Sequence, residues 1–243
     1  MKPIQRVQID ASFQKNLSEE DLIALFSIIL SKPQNLKEID FNFLESNVGD
    51  ETMVHLFEKI LNNVTGLKVL SLNIYGSNIT DKTIQAFGGA LPHMKGLEFF
   101  SFYTGSTNIT EDSLVELFVS LPNLAKFEFG ASSTNFGDKA LKIFVENCLV
   151  SMKCLKKLKL RLWKTQVTDE GAAQLFANLP DLKTFTFDLG SNKITDQSVK
   201  ILTEDKLLNM STLKGFKLYL YDTKVSDQTN SKIYEIKTKL SNQ

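Results

Sequence analysis

The sequence predicts an α/β fold, a right-handed curved solenoid of about eight strand–helix units. A motif of about 30 residues recurs along the chain: LKVLSLNIYGSNITDKTIQAF from Leu67 returns as LKKLKLRLWKTQVTDEGAAQLF from Leu155 and LKTFTFDLGSNKITDQSVKIL from Leu182. Each copy changes from alternating apolar residues to helical apolar spacing. Each also carries a capping residue and an acid where the two halves meet. Self-similarity at this period is typical of repeat architectures.

Eight copies account for nearly the whole chain. No linker or change of composition separates them, so we expect one domain spanning residues 1–243. Aligned on their first apolar residue, the copies start at Ile4, Leu36, Leu67, Leu97, Leu124, Leu155, Leu182 and Leu213.

The first half of each unit predicts a strand and the second half a helix of about three turns. Leu158, Leu160 and Leu162 alternate with polar residues, as in a half-buried strand. Met53, Leu56 and Ile60 lie on one face of a helix. Strand and helix repeated with constant hand make the strands parallel. Parallel strands stack about 4.8 Å apart and helices about 8–10 Å apart, so we expect a concave sheet and convex helices.

A preferred N-cap residue and an acid stand at the start of every predicted helix. A cap residue satisfies free amides of the first turn, and a negative charge there is favoured by the helix dipole. We interpret the acids in this way rather than as a cation site or catalytic carboxylates. They are Glu19, Asp50, Asp81, Glu111, Asp138, Asp169, Asp196 and Asp227.

The pattern LxxLxLxLxx(N/S/T)x(I/V)xD resembles the leucine-rich repeat, and in particular its ribonuclease-inhibitor-like subclass, over residues 4–240. The resemblance implies full helices on the convex side. Where the family has an asparagine that braces the loop, most units have a hydroxyl residue, from which we expect a shorter version of the same bond. The residues at this position are Ser46, Ser77, Thr107, Thr134, Thr165, Asn192 and Thr223.

Charge and composition narrow the function classes. The 28 basic and 28 acidic residues cancel, which argues against a dedicated polyanion binder. Residues 1–121 have a net charge of −6 and residues 122–243 one of +6, so we expect the two ends of the solenoid to carry opposite charge. The first residues lack the apolar core of a secretion signal, and we expect an intracellular, cytoplasmic protein without membrane insertion.

Nothing in the sequence has the spacing of a catalytic or cofactor site. Cys148 takes an apolar helix position and predicts a buried thiol, while His55 and His93 have no zinc-type partners. No phosphate-binding glycine loop is present. We expect no enzyme activity, no metal and no cofactor.

The outward positions of the predicted strands carry the candidate binding residues. Tryptophan, tyrosine and arginine dominate binding hot spots, although tyrosine and tryptophan also favour strands, where they lie flat on their neighbours. We expect an acidic patch of Glu38 and Asp40. The candidate protein-binding residues are Tyr75, Phe99, Tyr103, Lys157, Lys159, Arg161, Trp163, Tyr219 and Tyr221.

These observations favour a non-catalytic intracellular module or scaffold subunit that binds a protein partner through the concave sheet. An alternative, suggested by the family resemblance, is a structural subunit of a large ciliary or cytoskeletal assembly. Its contacts would lie on the convex face or at a stack end, where the first strand contains Ile4, Val7 and Ile9. A minor alternative is a single-stranded nucleic-acid binder using the basic-aromatic strip, against which Glu128 and Asp188 weigh.

Overall fold

The computed structural model describes residues 4–30, 35–64 and 66–241. Its strands form one open parallel sheet whose spatial order is the chain order, so the fold is an α/β leucine-rich-repeat solenoid with a concave sheet and convex helices. The strands are β1 Arg6–Asp10, β2 Glu38–Asn42, β3 Val69–Asn73, β4 Phe99–Tyr103, β5 Lys126–Gly130, β6 Lys157–Arg161, β7 Thr184–Asp188 and β8 Gly215–Tyr219.

The strand register is the same in every coil. Val69 pairs with Phe99, Phe99 with Lys126, and Lys126 with Lys157. Each strand position therefore forms a row along the stack, and the side chains of one row are neighbours although about 30 residues separate them in sequence. This constant register brings the candidate site residues onto one face.

The convex helices vary in length and do not all have the predicted three turns, because a coil with fewer residues has a shorter helical part. Coil 4 starts only 27 residues before coil 5 and contains helix 111–117, whereas coil 3 contains helix 81–93. The α-helical bounds are α1 Glu19–Ile29, α2 Asp50–Val54, α3 Asp81–Ala90, α4 Glu111–Leu114, α5 Asp138–Ile143, α6 Asp169–Ala177, α7 Asp196–Lys200 and α8 Asp227–Ser241.

Wider and tighter turns extend several of these helices. A π-helical segment follows α2, α5 and α7, at His55–Ile60, Phe144–Cys148 and Ile201–Lys206. A 3-10 turn then leads the chain back toward the next strand in each of those coils. The expectation of full α-helices in every coil is therefore wrong, because in these coils α-helical, π-helical and 3-10 turns together lead the chain back to the next strand.

Phenylalanine packing runs through the core from coil to coil. The rings of Phe57 and Phe87 stack with centroids 4.3 Å apart, and those of Phe185 and Phe216 stack at 5.1 Å. Cys148 is fully buried, as predicted, and burial raises the pKa of its thiol to about 12. The continuous core supports the sheet that carries the candidate site.

The acids at the helix starts bind the following coil, which the sequence analysis did not predict. Asp50 accepts hydrogen bonds from Thr80 N at 2.9 Å, Thr80 Oγ1 at 2.6 Å and Thr83 Oγ1 at 2.7 Å. Asp81 and Asp169 repeat the arrangement with the N-cap residues one coil further on. We call these contacts the carboxylate ladder. They join successive coils along the side of the solenoid where the helices begin.

The hydroxyls in place of the family asparagine make the expected short bond. Ser77 Oγ donates to Ile74 O at 2.6 Å, and Thr134 Oγ1 donates to Ala131 O at 2.6 Å, so each closes its own loop. Asn192 does more, because its amide nitrogen donates both to Leu189 O in its own coil and to Leu162 O in the preceding coil, at 3.0 and 2.6 Å.

A candidate binding groove on the concave face

A groove of about 370 Å³ crosses the concave face at the carboxyl ends of the strands. Seven coils contribute to it, which follows from the constant register. It is lined by Leu44, Asn73, Tyr75, Tyr103, Gly130, Ser132, Arg161, Trp163, Asp188 and Tyr221. Hereafter it is called the aromatic groove.

The tyrosine rings of the groove lie against glycines of neighbouring coils. A Cβ atom on Gly130 would lie 2.5 Å from Cδ1 of Tyr103, and one on Gly190 would lie 2.6 Å from Cε2 of Tyr221. Tyr75 is placed in the same way against Gly105. Because these glycines have no side chain, the rings can lie flat along the groove instead of standing out from it.

The polar atoms of the groove aromatics already have partners within the protein. Tyr103 OH donates to Glu128, and Trp163 Nε1 donates to Ser191 Oγ at 3.0 Å. Tyr75 OH accepts a hydrogen bond from Ser106 Oγ, and the Tyr221 hydroxyl donates to Asp188 Oδ2. At Tyr103, Trp163 and Tyr221 a molecule in the groove would therefore meet ring faces rather than free hydroxyl or indole donors, whereas the Tyr75 hydroxyl still has a proton to donate.

Glu128 organises the charges in the middle of the face. Lys126 Nζ lies 2.8 Å from one carboxylate oxygen and Lys159 Nζ 3.6 Å from the other, which also accepts the Tyr103 hydroxyl. Burial opposes ionisation of Glu128, but these partners outweigh it and lower its pKa. Burial and the Glu128 contact raise the pKa of Tyr103 well above its usual range.

Arg161 differs from Lys126 and Lys159, which both approach Glu128. Its guanidinium carbon lies 5.0 Å from the centroid of the Tyr103 ring, a cation–π contact. Among the described residues, no carboxylate comes within ion-pair distance of it. Its register partner Asp188 instead accepts from Gly190 N and the Tyr221 hydroxyl. The groove thus contains a guanidinium that has no carboxylate partner in the described part of the chain.

The structure brings five of the sequence-predicted residues together in the groove: Tyr75, Tyr103, Arg161, Trp163 and Tyr221. Three of them, Tyr75, Tyr103 and Trp163, are half-buried, as expected of strand aromatics whose rings lie flat on neighbouring side chains.

The other predicted residues of this face lie outside the groove. Lys159 is paired with Glu128, and the ammonium of Lys126 lies 4.0 Å from the Phe99 ring centroid. Lys157 and Tyr219 are exposed on β6 and β8.

The acidic patch of Glu38 and Asp40 carries less net negative charge than the sequence implies. Arg6 approaches both of its members, with Nε 3.6 Å from Glu38 and Nη2 4.0 Å from Asp40. All three side chains are partly exposed, and one guanidinium serves two carboxylates. Arg6, Glu38 and Asp40 together therefore carry one net negative charge.

Sequence reasoning missed the small residues Gly130 and Ser132 of the groove, and it considered Asp188 only as a charge that weighs against nucleic acid. A glycine at an outward strand position, next to an aromatic residue in the same row of the adjacent coil, is the signal that could have found it. That signal requires the register, because Tyr103 and Gly130 are partners only across β4 and β5.

In the part of the chain that the structure describes, no group of three histidine, cysteine or acidic side chains is arranged to hold a metal ion. Within those same residues, no helix combines the length and apolar character needed to cross a bilayer. His55 lies 3.2 Å from Ser27 Oγ in a contact between two helical segments.

The fold and the groove together define a leucine-rich-repeat solenoid with an aromatic concave face. No family model matches the sequence, and no curated protein matches it. Among solved structures, a Bacteroides fragilis protein from a structural genomics consortium is 15% identical with a TM-score of 0.47, over 94% of this chain and 72% of that one. An internalin from Listeria monocytogenes is 16% identical with a TM-score of 0.32, over 96% and 78%.

Proposed function

We propose that this chain is a non-catalytic binding module of the ribonuclease-inhibitor-like type, in which residues 1–243 belong to one domain that holds a protein partner on its concave face inside the cell. The observation that carries the proposal is the aromatic groove, which four aromatic rings line together with the Arg161 guanidinium, a group without an ion-pair partner among the described residues. Aromatic and arginine side chains in a shared concavity are the residues that dominate binding energy at interfaces.

Rigidity of the face supports this function. The groove rings are fixed by glycine contacts and by hydrogen bonds from their own polar atoms, and the coils beneath them are joined by the carboxylate ladder. Side chains that are already ordered lose little conformational entropy on binding. More of the interaction energy with the partner then remains as affinity.

A second candidate is a structural subunit of a larger ciliary or cytoskeletal assembly that is held through a stack end. Exposed apolar side chains of the first coil favour it, since Ile4 is 57% and Phe13 61% exposed. β1 is also an edge strand, and unpaired backbone groups on an edge can pair with another chain.

Comparative pull-down from native cells tests the proposal. The baits are the wild type, a concave variant with Tyr219→Ala and Arg161→Gln, and a convex control with Tyr234→Ala, a tyrosine of α8 that is 71% exposed. We expect a protein that the wild type and the control retain and the concave variant loses. Retention by all three baits would contradict a concave site, and loss on replacing Phe13 by Ser would favour the stack end.

A further inference from the structure

We infer that the aromatic groove binds an extended acidic segment of a partner protein, with one Asp or Glu side chain seated on Arg161. The inference rests on the proposed function and adds the chemistry of the ligand. It is carried by three features of the groove: its length, its unpaired guanidinium and the ring faces beside that guanidinium.

The length of the groove fits a polypeptide better than a small molecule. Its lining runs from Leu44 in coil 2 to Tyr221 in coil 8, which is six strand spacings of about 4.8 Å, or about 29 Å in all. An extended chain covers that length with about nine residues. Because the groove is open along the stack, a passing segment can occupy it from end to end.

Arg161 specifies a carboxylate. The guanidinium has five N–H donors in a planar fork that matches the two oxygens of a carboxylate. The Tyr103 ring centroid lies 5.0 Å from the guanidinium carbon, and Arg161 is exposed, so an incoming anion can reach its donors. Lys126 and Lys159 are less available, because both approach Glu128.

The remaining lining favours apolar or aromatic side chains beside that carboxylate. The hydroxyls of Tyr103 and Tyr221 and the indole N–H of Trp163 have partners inside the protein, so the ring faces are what a ligand contacts. Aromatic faces bind apolar, aromatic and planar groups. The expected segment is therefore acidic with hydrophobic neighbours.

A nucleic-acid ligand fits the groove less well. A phosphate could bind Arg161 and a base could stack on Trp163, but Asp188 lines the same groove and Glu128 lies on the strand before Arg161. A polyphosphate backbone crossing these coils would pass both carboxylates. A peptide with one acidic side chain avoids that repulsion.

The test is selection from a random nine-residue peptide library displayed on phage, with the wild-type protein as bait. Selected peptides are then measured by fluorescence anisotropy against the wild type, Arg161→Gln, Arg161→Lys and the charge-matched control Lys142→Gln, an exposed lysine of α5. The thermal midpoint of each variant checks that it is folded.

We expect enriched peptides to contain Asp or Glu next to apolar residues. Arg161→Gln should weaken binding about tenfold or more, Arg161→Lys should weaken it less, and Lys142→Gln should leave it unchanged. Three results would each overturn the inference: no enrichment of acidic peptides, equal affinity of Arg161→Gln and wild type, or tighter binding of an oligothymidylate than of any peptide. A concave-dependent partner in the pull-down would still support the proposed function in those cases.

Discussion

Glu19 Oε1 occupies the space that a side chain on Gly49 would need, so the acid of the first coil and the missing side chain of the second fit each other. Glu19 Oε2 then accepts a hydrogen bond from Thr52 N at 2.8 Å. Glu111 repeats this relationship with Gly137, whose backbone N–H donates to its Oε1 at 2.9 Å.

Throughout the carboxylate ladder, the acid of one coil and the N-cap residue that it faces in the next coil have complementary sizes. A glutamate faces a glycine cap in the next coil, whereas an aspartate faces a threonine or serine whose hydroxyl donates to it. The longer acid fills the volume that the cap side chain fills elsewhere. The pairs are Glu19–Gly49, Asp50–Thr80, Asp81–Thr110, Glu111–Gly137, Asp138–Thr168, Asp169–Thr195 and Asp196–Ser226.

Gly49→Thr is expected to destabilise the protein by about 1–3 kcal/mol, because the new side chain collides with Glu19. Adding Glu19→Asp should restore most of that loss by creating an aspartate–threonine pair. The shorter acid would also face Thr52 Oγ1, a buried hydroxyl without a partner among the described residues. Urea unfolding of the wild type, both single variants and the double variant measures the coupling free energy, and simple additivity would contradict the size rule.

Gly130→Ala is expected to displace the Tyr103 ring, since the added carbon would lie 2.5 Å from its Cδ1. The predicted cost is about 1–3 kcal/mol of unfolding free energy, with loss of the Tyr103–Glu128 hydrogen bond. Tyrosine absorbance during alkaline titration should then show one phenol returning toward the ordinary pKa. Gly215→Ala is the control, because nothing lies within 4 Å of its Cβ position, and a matching effect there would refute the ring contact.

Asp169→Asn is expected to lower the thermal midpoint at pH 7, and the difference from wild type should become smaller as the pH falls below the ordinary carboxyl pKa. Burial raises the pKa of Asp169, but hydrogen bonds from Ser198 and Thr195 outweigh it, so the folded pKa is depressed. A depressed carboxyl pKa contributes stability above its unfolded value of about 3.9, and that contribution is lost as pH falls through the folded value. Thermal melts of both proteins from pH 7 to 3 provide the measurement; a constant difference would argue against the linkage.

Asn192→Thr is expected to cost about 1–2 kcal/mol, although it introduces the residue that other coils use at the same position. The variant keeps a bond to its own loop but loses the 2.6 Å bond from Asn192 Nδ2 to Leu162 O. Thr223→Ser is the matched control, because its hydroxyl bonds only Leu220 O in the same coil. Equal urea midpoints for Asn192→Thr and wild type would mean that the contact between coils contributes nothing.

Repeat number, strand positions and the direction of strand side chains were all predictable from the sequence. Leu158 and Leu160 are buried and Arg161 is exposed, as their alternation implies. The lengths of the helices were less predictable, because a π turn or a 3-10 turn satisfies the same apolar spacing as an α-helix. Helix 111–117 and the segment that begins at Asp50 both fit one three-turn pattern in the sequence.

The winding of this protein and the face on which its aromatic and charged residues lie follow from the sequence, because periodicity and burial are local properties that recur in each repeat. The partners of those residues depend on how neighbouring coils pack. That packing pairs Lys159 with Glu128, leaves Arg161 facing a ring, and directs Asp50 to Thr80 rather than to its own helix. Those outcomes depend on distances between coils, which no single repeat contains.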